Sequence, residues 1–324
     1  MKKSFKLFLA DAFLVTEFFV VALPLMITSA KADGHPIQAV TNAGYGGGTD
    51  VTTRMMLLRT RRYLKQDMQL VNKKGGGGAA SMDYMMTLHA DGQHTLTWTT
   101  GHAVSMALGK TKVKLSDMQP LARGTDDPQL FVVNCKNDIK DAKKFISAQK
   151  SKSLKYGTTH VGGIDDVSAI AFTKKGKLTD PTIVAYKGVG PIKTNRINGD
   201  IDVGVLNLGE AVTEIEDGTL CVSVVLASNR MEKLNNVPTA TELGIPVVLS
   251  TVRGFVTRKG VPADRKKQLE DAMIKAMEHK YFQSFLTDIG LDSTSVVGAD
   301  EWGKQMEVML AEMTAQLKAL VYIK

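Results

Sequence analysis

Three times in its first third the chain runs through an apolar, strand-like stretch, breaks into a glycine-bearing turn, and resumes at helical spacing. The stretches are "IQAVTNAGYGGGTDVTTRMM", "MQLVNKKGGGGAASMDYMMTL" and "HTLTWTTGHAVSM". Strand, short turn and helix in succession restrict the fold to the α/β class, with the turns gathered at one end of a sheet. In the first stretch the spacing predicts a helix over about residues 50–66. A helix opening from such a turn presents backbone N–H groups without partners, and glycines let an anion come close to them. A nucleotide phosphate, a substrate carboxylate and no ligand at all are the three occupants left open at this point.

The alternation continues through "QLFVVNC", "LKYGTTHVGGIDDVSAIAF", "TIVAYKGVG" and "IDVGVL", then "CVSVVLAS" and "RGFVTRKG", and closes in two amphipathic helices. In the last of these Trp302, Met306, Met309, Met313, Leu317 and Leu320 recur at three- and four-residue steps, with Asp300 as the expected N-cap. That Met-rich stripe reads as core packing rather than a ligand groove. No repeat of fixed period, low-complexity tract or Pro-rich linker interrupts the order.

Lys2, Lys3 and Lys6 precede the apolar run "FFVVALPLMI", and Ala30, Lys31 and Ala32 follow it. This is the pattern of a secretory signal peptide with an A-x-A cleavage site, over residues 1–32. Ten apolar residues are too few to span a bilayer. The expected mature chain begins near Asp33, is soluble and exported, and has the length of two domains. The formal charge of the whole chain is +8, and removing the leader's four lysines and two acids leaves +6. Such a surface concentrates anions. Its Lys and Arg are scattered along the chain rather than clustered on one element, which argues against nucleic acid. Only 6% of residues are aromatic and two are Trp, too few for an aromatic-lined sugar site. The histidines at 35, 89, 94, 102, 160 and 279 show no metal-ligand spacing, and no cofactor is expected.

Glycine turns also announce dinucleotide binding, but "GYGGGT" puts Thr49 where the third glycine of G-x-G-x-x-G belongs. No acidic residue closes a second strand at the expected distance. A G-x-S-x-G nucleophile turn is lacking, and neither cysteine has a histidine near it in sequence. The chain therefore does not read as an enzyme.

Taken in order, the motifs resemble the periplasmic substrate-binding proteins of tripartite tricarboxylate transporters, the Bug or TctC family. "GGGTDVTTR" resembles the signature G-G-x-x-D-x-x-x-R, and "VNKKGGGGAAS" the loop that ends in G-A-G-G. "ADGQHTL" is similar to P-D-G-Y-T-L, "YGTTHVGG" to Y-G-S-x-G-x-G-S, and "AYKGVGP" to V-P-Y-K-G-x-G-P. "NRMEKLNNVPTATELGIP" is similar to a further stretch of the family, and the likeness covers residues 38–320. The resemblance implies a type II periplasmic-binding-protein fold: two α/β lobes joined by crossing strands, with one ligand in the cleft. It implies lobe 1 at 33–133 plus 226–324 and lobe 2 at 134–225, with crossings near 131–134 and 225–228. Its expected ligand is a small organic acid, a mono- or dicarboxylate or an amino acid, and its expected partners are membrane permease subunits. The rival role is presentation of the ligand to a sensor kinase.

Physics supports a clamp of this kind, because a carboxylate can accept N–H bonds from two helix N-termini without any arginine. The expected ligand residues are Gly46, Gly47, Gly48 and Thr49 from the first lobe, with Thr158, Thr159, Gly162 and Gly163 from the second. Thr99, Thr100 and His102 follow a third strand, and Tyr186 and Lys187 reach in from lobe 2. Tyr45, Asp50, His160, Asp166 and Asn207 complete the set. Against ligand roles stand blander ones: Asp50 as a first-turn residue paired with Arg54, Tyr186 as packing, Lys187 as a solvated side chain. This chain has His160 where the family has a small residue, and Asp166 where it commonly has His. Asp165 and Asp166 would repel a second carboxylate, so Asp166 either caps the following helix or meets an ammonium group. Cys135 ends a strand leaving the crossover and Cys221 begins one returning to it. If those strands are antiparallel neighbours the thiols meet, and an oxidising compartment permits their bond.

Overall fold

The computed structural model describes residues 35–159 and 161–319; the expected leader, His160 and Leu320 lie outside them. Eleven strands among the described residues form two sheets. The first is built by β1 (Ile37–Thr41), α1 (Gly48–Leu64), β2 (Met68–Asn72), α2 (Ala79–Thr87), β3 (His94–Thr99) and α3 (Thr100–Ala107). To these the chain adds β4 (Met118–Pro128) and, much later, β10 (Ser250–Arg258) and β11 (Val297–Gly298). Strand order is β11-β4-β10-β3-β1-β2, with β1 parallel to β2 and β3 and β10 antiparallel to β3 and β4.

The second sheet repeats this plan. Its strands are β5 (Leu130–Asn134), β6 (Lys155–Thr158), β7 (Thr182–Ala185), β8 (Val203–Leu206) and β9 (Leu220–Val225), in the order β7-β6-β8-β5-β9. Between them lie α4 (Ala142–Ser151), α5 (Ile164–Lys175), α6 (Val189–Asn198) and α7 (Leu208–Glu216). β6 is parallel to β7 and β8, and β5 is antiparallel to β8 and β9. Each lobe thus holds three parallel strands with an antiparallel strand beside the third, and β10 in the first matches β5 in the second.

The two sheets are joined a few residues earlier than expected. β4 ends at Pro128 and β5 begins at Leu130, so the outgoing crossover is Gln129 rather than residues 131–134. Nearly all of β5, "LFVVN", is buried, so no alternation marks which sheet owns it. The return passes Leu226; beyond it Met231, Leu234 and Val237 pack with Leu130, Val132 and Leu220 of the second sheet, while Ile245, Val247 and Leu249 join a cluster that spans both sheets. At the junction three chain segments are laced together. Gln129 N–H donates to Leu249 O (3.0 Å), Leu226 N–H to Gln129 O (2.8 Å), and Leu249 N–H to Leu226 O (2.9 Å).

Cys135, just past the end of β5, is bonded to Cys221 on the neighbouring antiparallel strand β9, where Val133 faces Cys221. The chain closes with α8 (Ala263–Glu278), α9 (Lys280–Asp288) and α10 (Ala299–Ala319). α10 lies on α3 and β4 and also touches α5 of the second lobe. Its Trp302, Met306, Met309, Met313 and Leu317 are all buried, and Trp302 meets Trp98 edge-on at 5.8 Å. Asp300 falls in the first turn of α10 instead of at its N-cap, because the helix already starts at Ala299.

Candidate functional site

Topology alone gathers the turns of both lobes. β10 runs antiparallel to both β3 and β4, so β4 ends on the same side of its sheet as β3. In the second sheet Leu130 pairs with Leu206, so β5 starts at the carboxyl end of β8. Gln129 therefore joins the two sheets at the ends where their helices begin, the place where open α/β sheets bind ligands.

In the first turn three successive glycines serve three purposes. Gly47 N–H donates to Gly44 O (3.2 Å), closing a turn whose third residue, Gly46, has φ +74°, as a type II turn requires. Gly47 is the N-cap of α1, extended at φ −72°, with no side-chain cap on the helix. Gly48 makes room for an arginine: a Cβ there would lie 2.6 Å from Nη2 of Arg253. α1 starts two residues before the sequence predicts, because its cap is a glycine. Asp50 accepts the Gly46 N–H (3.0 Å) and pairs with Arg54 (2.8 Å). Burial pushes its carboxyl up, but Arg54 and the Gly46 N–H outweigh this and hold it below the usual range. Tyr45 stands in solvent at 76% exposure, with the Lys74 ammonium 5.1 Å above its ring.

Thr99, Thr100 and His102 are bound into the first lobe and do not line an open surface. His102 is fully buried and closes a capping box at the start of α3: its Nδ1 accepts the Thr99 N–H at 3.0 Å. Nε2 is then the protonated nitrogen, and it donates to Ser81 Oγ (3.0 Å), which donates to Gly78 O (2.7 Å). Burial pulls the imidazole down to about 3, so it is neutral at physiological pH. Thr100 Oγ1 donates to Ser250 O (3.0 Å) and accepts the Val252 N–H (2.9 Å), tying α3 to β10. These residues lie at the end of β3, where the His102 side chain ties the third turn to the second and the Thr100 side chain ties α3 to β10.

The second lobe repeats the first turn. Gly162, at φ +70°, is followed by the extended N-cap Gly163 at φ −82°, again without a side-chain cap on the helix. Asp166 Oδ2 accepts the Gly162 N–H (2.5 Å), the counterpart of Asp50 on Gly46. Asp165 accepts both the N–H (2.8 Å) and the hydroxyl (2.6 Å) of Thr159. Both acids sit in the first turn of α5, where a helix favours negative charge. Thr158 is buried at the end of β6, and its hydroxyl has no hydrogen-bond partner among the described residues. The turn reaches the other lobe: a Cβ on Gly162 would stand 3.6 Å from Leu108, just past α3.

Tyr186 packs its ring over Gly157, and Lys187 is exposed. Asn207 is buried at the junction, where Nδ2 donates to the carbonyls of Asp127 (2.8 Å) and Pro128 (3.0 Å) while its side chain also caps α7. It is a joint between lobes rather than a free ligand contact.

Sequence reasoning missed Arg253 and Asp127. Both side chains are 4% exposed, and they pair at 3.1 Å between β10 and β4. The available signal was a charge of each sign inside strand-like stretches whose neighbours are buried. Burial pushes the Asp127 carboxyl up to about 7, against the pull of Arg253. Burial also raises Glu210 nearby. Among the described residues no cluster of His, Cys, Asp or Glu is arranged to hold a metal ion.

Comparison with known proteins gives one consistent result. A family described as "Tripartite tricarboxylate transporter family receptor" matches residues 52–321. Protein BugT of Bordetella pertussis is 26% identical over 235 residues, 70% of each chain. Among solved structures, MatC of Rhodopseudomonas palustris with bound malate shares 23% identity at a TM-score of 0.77, over 87% of this chain and 98% of that one. A second R. palustris protein, with adipate, shares 20% identity at a TM-score of 0.77, over 87% and 96%. These structural likenesses fix the two-lobed fold.

Proposed function

The chain belongs to the tripartite tricarboxylate transporter receptor family, and from that premise we propose that it captures a small organic acid between its lobes. In this reading it then delivers the acid to the membrane permease of such a transporter. The observation that carries the reading is the repeated turn: G-G-x-x-D at 46–50 and again at 162–166, each opening a helix that no side chain caps. Two helix N-termini at the junction of two lobes suit one anion, and the contact is complete only when the lobes close. Capture and closure are then a single event, driven by the ligand's higher affinity for the closed form.

We assign the ligand to the turn Gly46, Gly47, Gly48 and Thr49 in lobe 1, with the Gly48 and Thr49 N–H groups as donors because those of Gly46 and Gly47 already bond Asp50 and Gly44. In lobe 2 it meets the turn of Thr158, Thr159, Gly162 and Gly163, with the Gly163 N–H as donor because those of Thr159 and Gly162 already bond Asp165 and Asp166, and with His160 in the same turn outside the described residues. Malate and adipate, bound by the structural neighbours, make dicarboxylates of four to six carbons the first class to try. The leader at 1–32 would be removed on export to the periplasm, and among the described residues no helix is long and apolar enough to cross a membrane. A thermal-shift and calorimetric screen of malate, adipate, shorter acids and acidic amino acids tests the reading. A receptor raises its melting temperature with ligand concentration, by about 2.7 kcal/mol of stability at a hundredfold excess over Kd. No shift with any carboxylate would sink it. Loss of uptake of the bound acid in a strain lacking the gene separates transport from sensing.

A further inference from the structure

The first lobe's turn has more than backbone behind it. Arg253 Nε donates to Thr49 Oγ1 (3.3 Å), and Nη1 donates to Asp127 Oδ2 (3.1 Å) and Thr125 Oγ1 (3.4 Å). Nη2 has no hydrogen-bond partner among the described residues. It lies against Gly48, the first residue of α1, close enough that any Cβ there would strike it. The side chain is 4% exposed, yet Nη2 is not among the buried unpartnered atoms, so this one nitrogen keeps access to solvent beside Gly48 and is a donor an incoming acceptor can reach. The adjoining helix N-terminus also favours an anion and has no side-chain cap. One carboxylate seated there would answer both demands.

We propose that Arg253 is a ligand-binding residue, and that its Nη2 and the N–H groups at the start of α1 together receive one carboxylate of an anionic ligand. The proposal rests on the receptor reading and deepens it by assigning its charged contact. Gly48 then serves the arginine's approach, and Thr49 and Thr125 fix the guanidinium plane. Asp127 sets how much charge the arginine shows. Its carboxyl faces Arg253 from β10, Glu210 from α7 and Asp126 on its own strand. When Asp127 is neutral the guanidinium charge is left to the ligand; when it ionises the charge is shared. A bound anion favours the neutral form, so binding takes up a proton and affinity falls as pH rises through about 7.

Formate, small enough for any carboxylate subsite, is the probe, titrated into isotope-labelled protein and followed by NMR. The Arg253 guanidinium signals and the Gly48 and Thr49 amides should shift together. Asp127→Asn should bind formate more tightly than the parent at about pH 8 and lose the pH dependence. The double variant Arg253→Met, Asp127→Asn, which leaves no lone buried charge, should bind formate and malate roughly 10- to 150-fold more weakly than Asp127→Asn alone. Should the double variant not fold, Arg253→Lys keeps the charge but not the fork and should weaken binding as well. Amide shifts without guanidinium shifts, or a double variant within about threefold of Asp127→Asn, would overturn the proposal while leaving the receptor reading intact. If neither set of signals moves with formate, the proposal falls, and the receptor reading falls with it only if malate, adipate and the other acids also leave the protein unchanged.

Discussion

At the end of β1 and at the end of β6 the chain builds the same turn: a glycine at positive φ, an extended glycine N-cap, and an aspartate reaching back four residues. Around that shared backbone the charges are opposite. In the first lobe Asp50 is paired with Arg54, and Arg253 lies behind the turn with Lys74 beside it. In the second, the position four beyond Asp166 is Ile170, a second acid, Asp165, joins the first, and the strand matching β10 is the apolar β5. On the proposed function the backbone geometry repeats because both helix N-termini are to meet one anion, and the side chains differ because one lobe is to hold its charge while the other closes on it.

Four experiments break or sharpen this contrast. Reduction of Cys135–Cys221 acts on the second lobe alone, and removing a bond that closes a span of 86 residues should cost roughly 2–4 kcal/mol. Hydrogen exchange should place the loss of protection in β5 and β9; an equal loss in β1 and β3 would show that the lobes do not open separately. Next come matched valines at the two N-caps, both at negative φ and so able to accept a side chain. Gly47→Val should weaken dicarboxylate binding roughly 100-fold and Gly163→Val roughly 10-fold, since hydrogen bonds to a charged group outweigh neutral ones. Equal losses by calorimetry would remove the asymmetry.

The third experiment uses pH. His102 is buried neutral with its folded value depressed to about 3, so the stability it contributes is present above the unfolded value of 6.5 and is lost as pH falls below it. One proton gives a slope of about 1.4 kcal/mol per pH unit. His102→Gln retains the capping geometry and should flatten the urea-unfolding profile by that amount between 6.5 and about 4. An unchanged profile would show that the imidazole is not neutral in the folded state. Smallest are the aspartate pair: Asp166→Asn keeps an acceptor for the Gly162 N–H and should alter stability by less than ~1 kcal/mol, while Asp50→Asn also gives up the charge pairing with half-exposed Arg54 and should cost up to ~1 kcal/mol more. A drop of more than tenfold in affinity for Asp166→Asn would mark it as a ligand group.

The sequence made the strand-turn-helix order legible because glycine turns and apolar periodicity are local properties. The two glycine turns were legible as well, but the cap weighed for Asp166 was not: α5 already starts at Ile164 with Gly163 as its N-cap, and Asp166, inside the first turn, accepts the Gly162 N–H instead. His102 was placed among the ligand residues because a capping box is sought with Glu or Gln at the third helical position, not His. Arg253 stayed hidden because its task depends on β10 lying between β3 and β4, a pairing across more than 120 residues. The crossover was set a few residues late because "LFVV" is buried throughout and announces no boundary.

The crossover also orders the making of the molecule. All five strands of the second sheet come from one unbroken stretch, 130–225, whereas the first sheet waits for β10 at residue 250. A chain emerging from its N-terminus therefore completes the inner lobe, disulfide included, while β3 and β4 still lack the strand that joins them. Until β10 arrives, both strands expose edges that invite other partners. Refolding from denaturant should accordingly show protection in β5–β9 before β1–β4, with the slow, non-local closure of the first sheet limiting the rate.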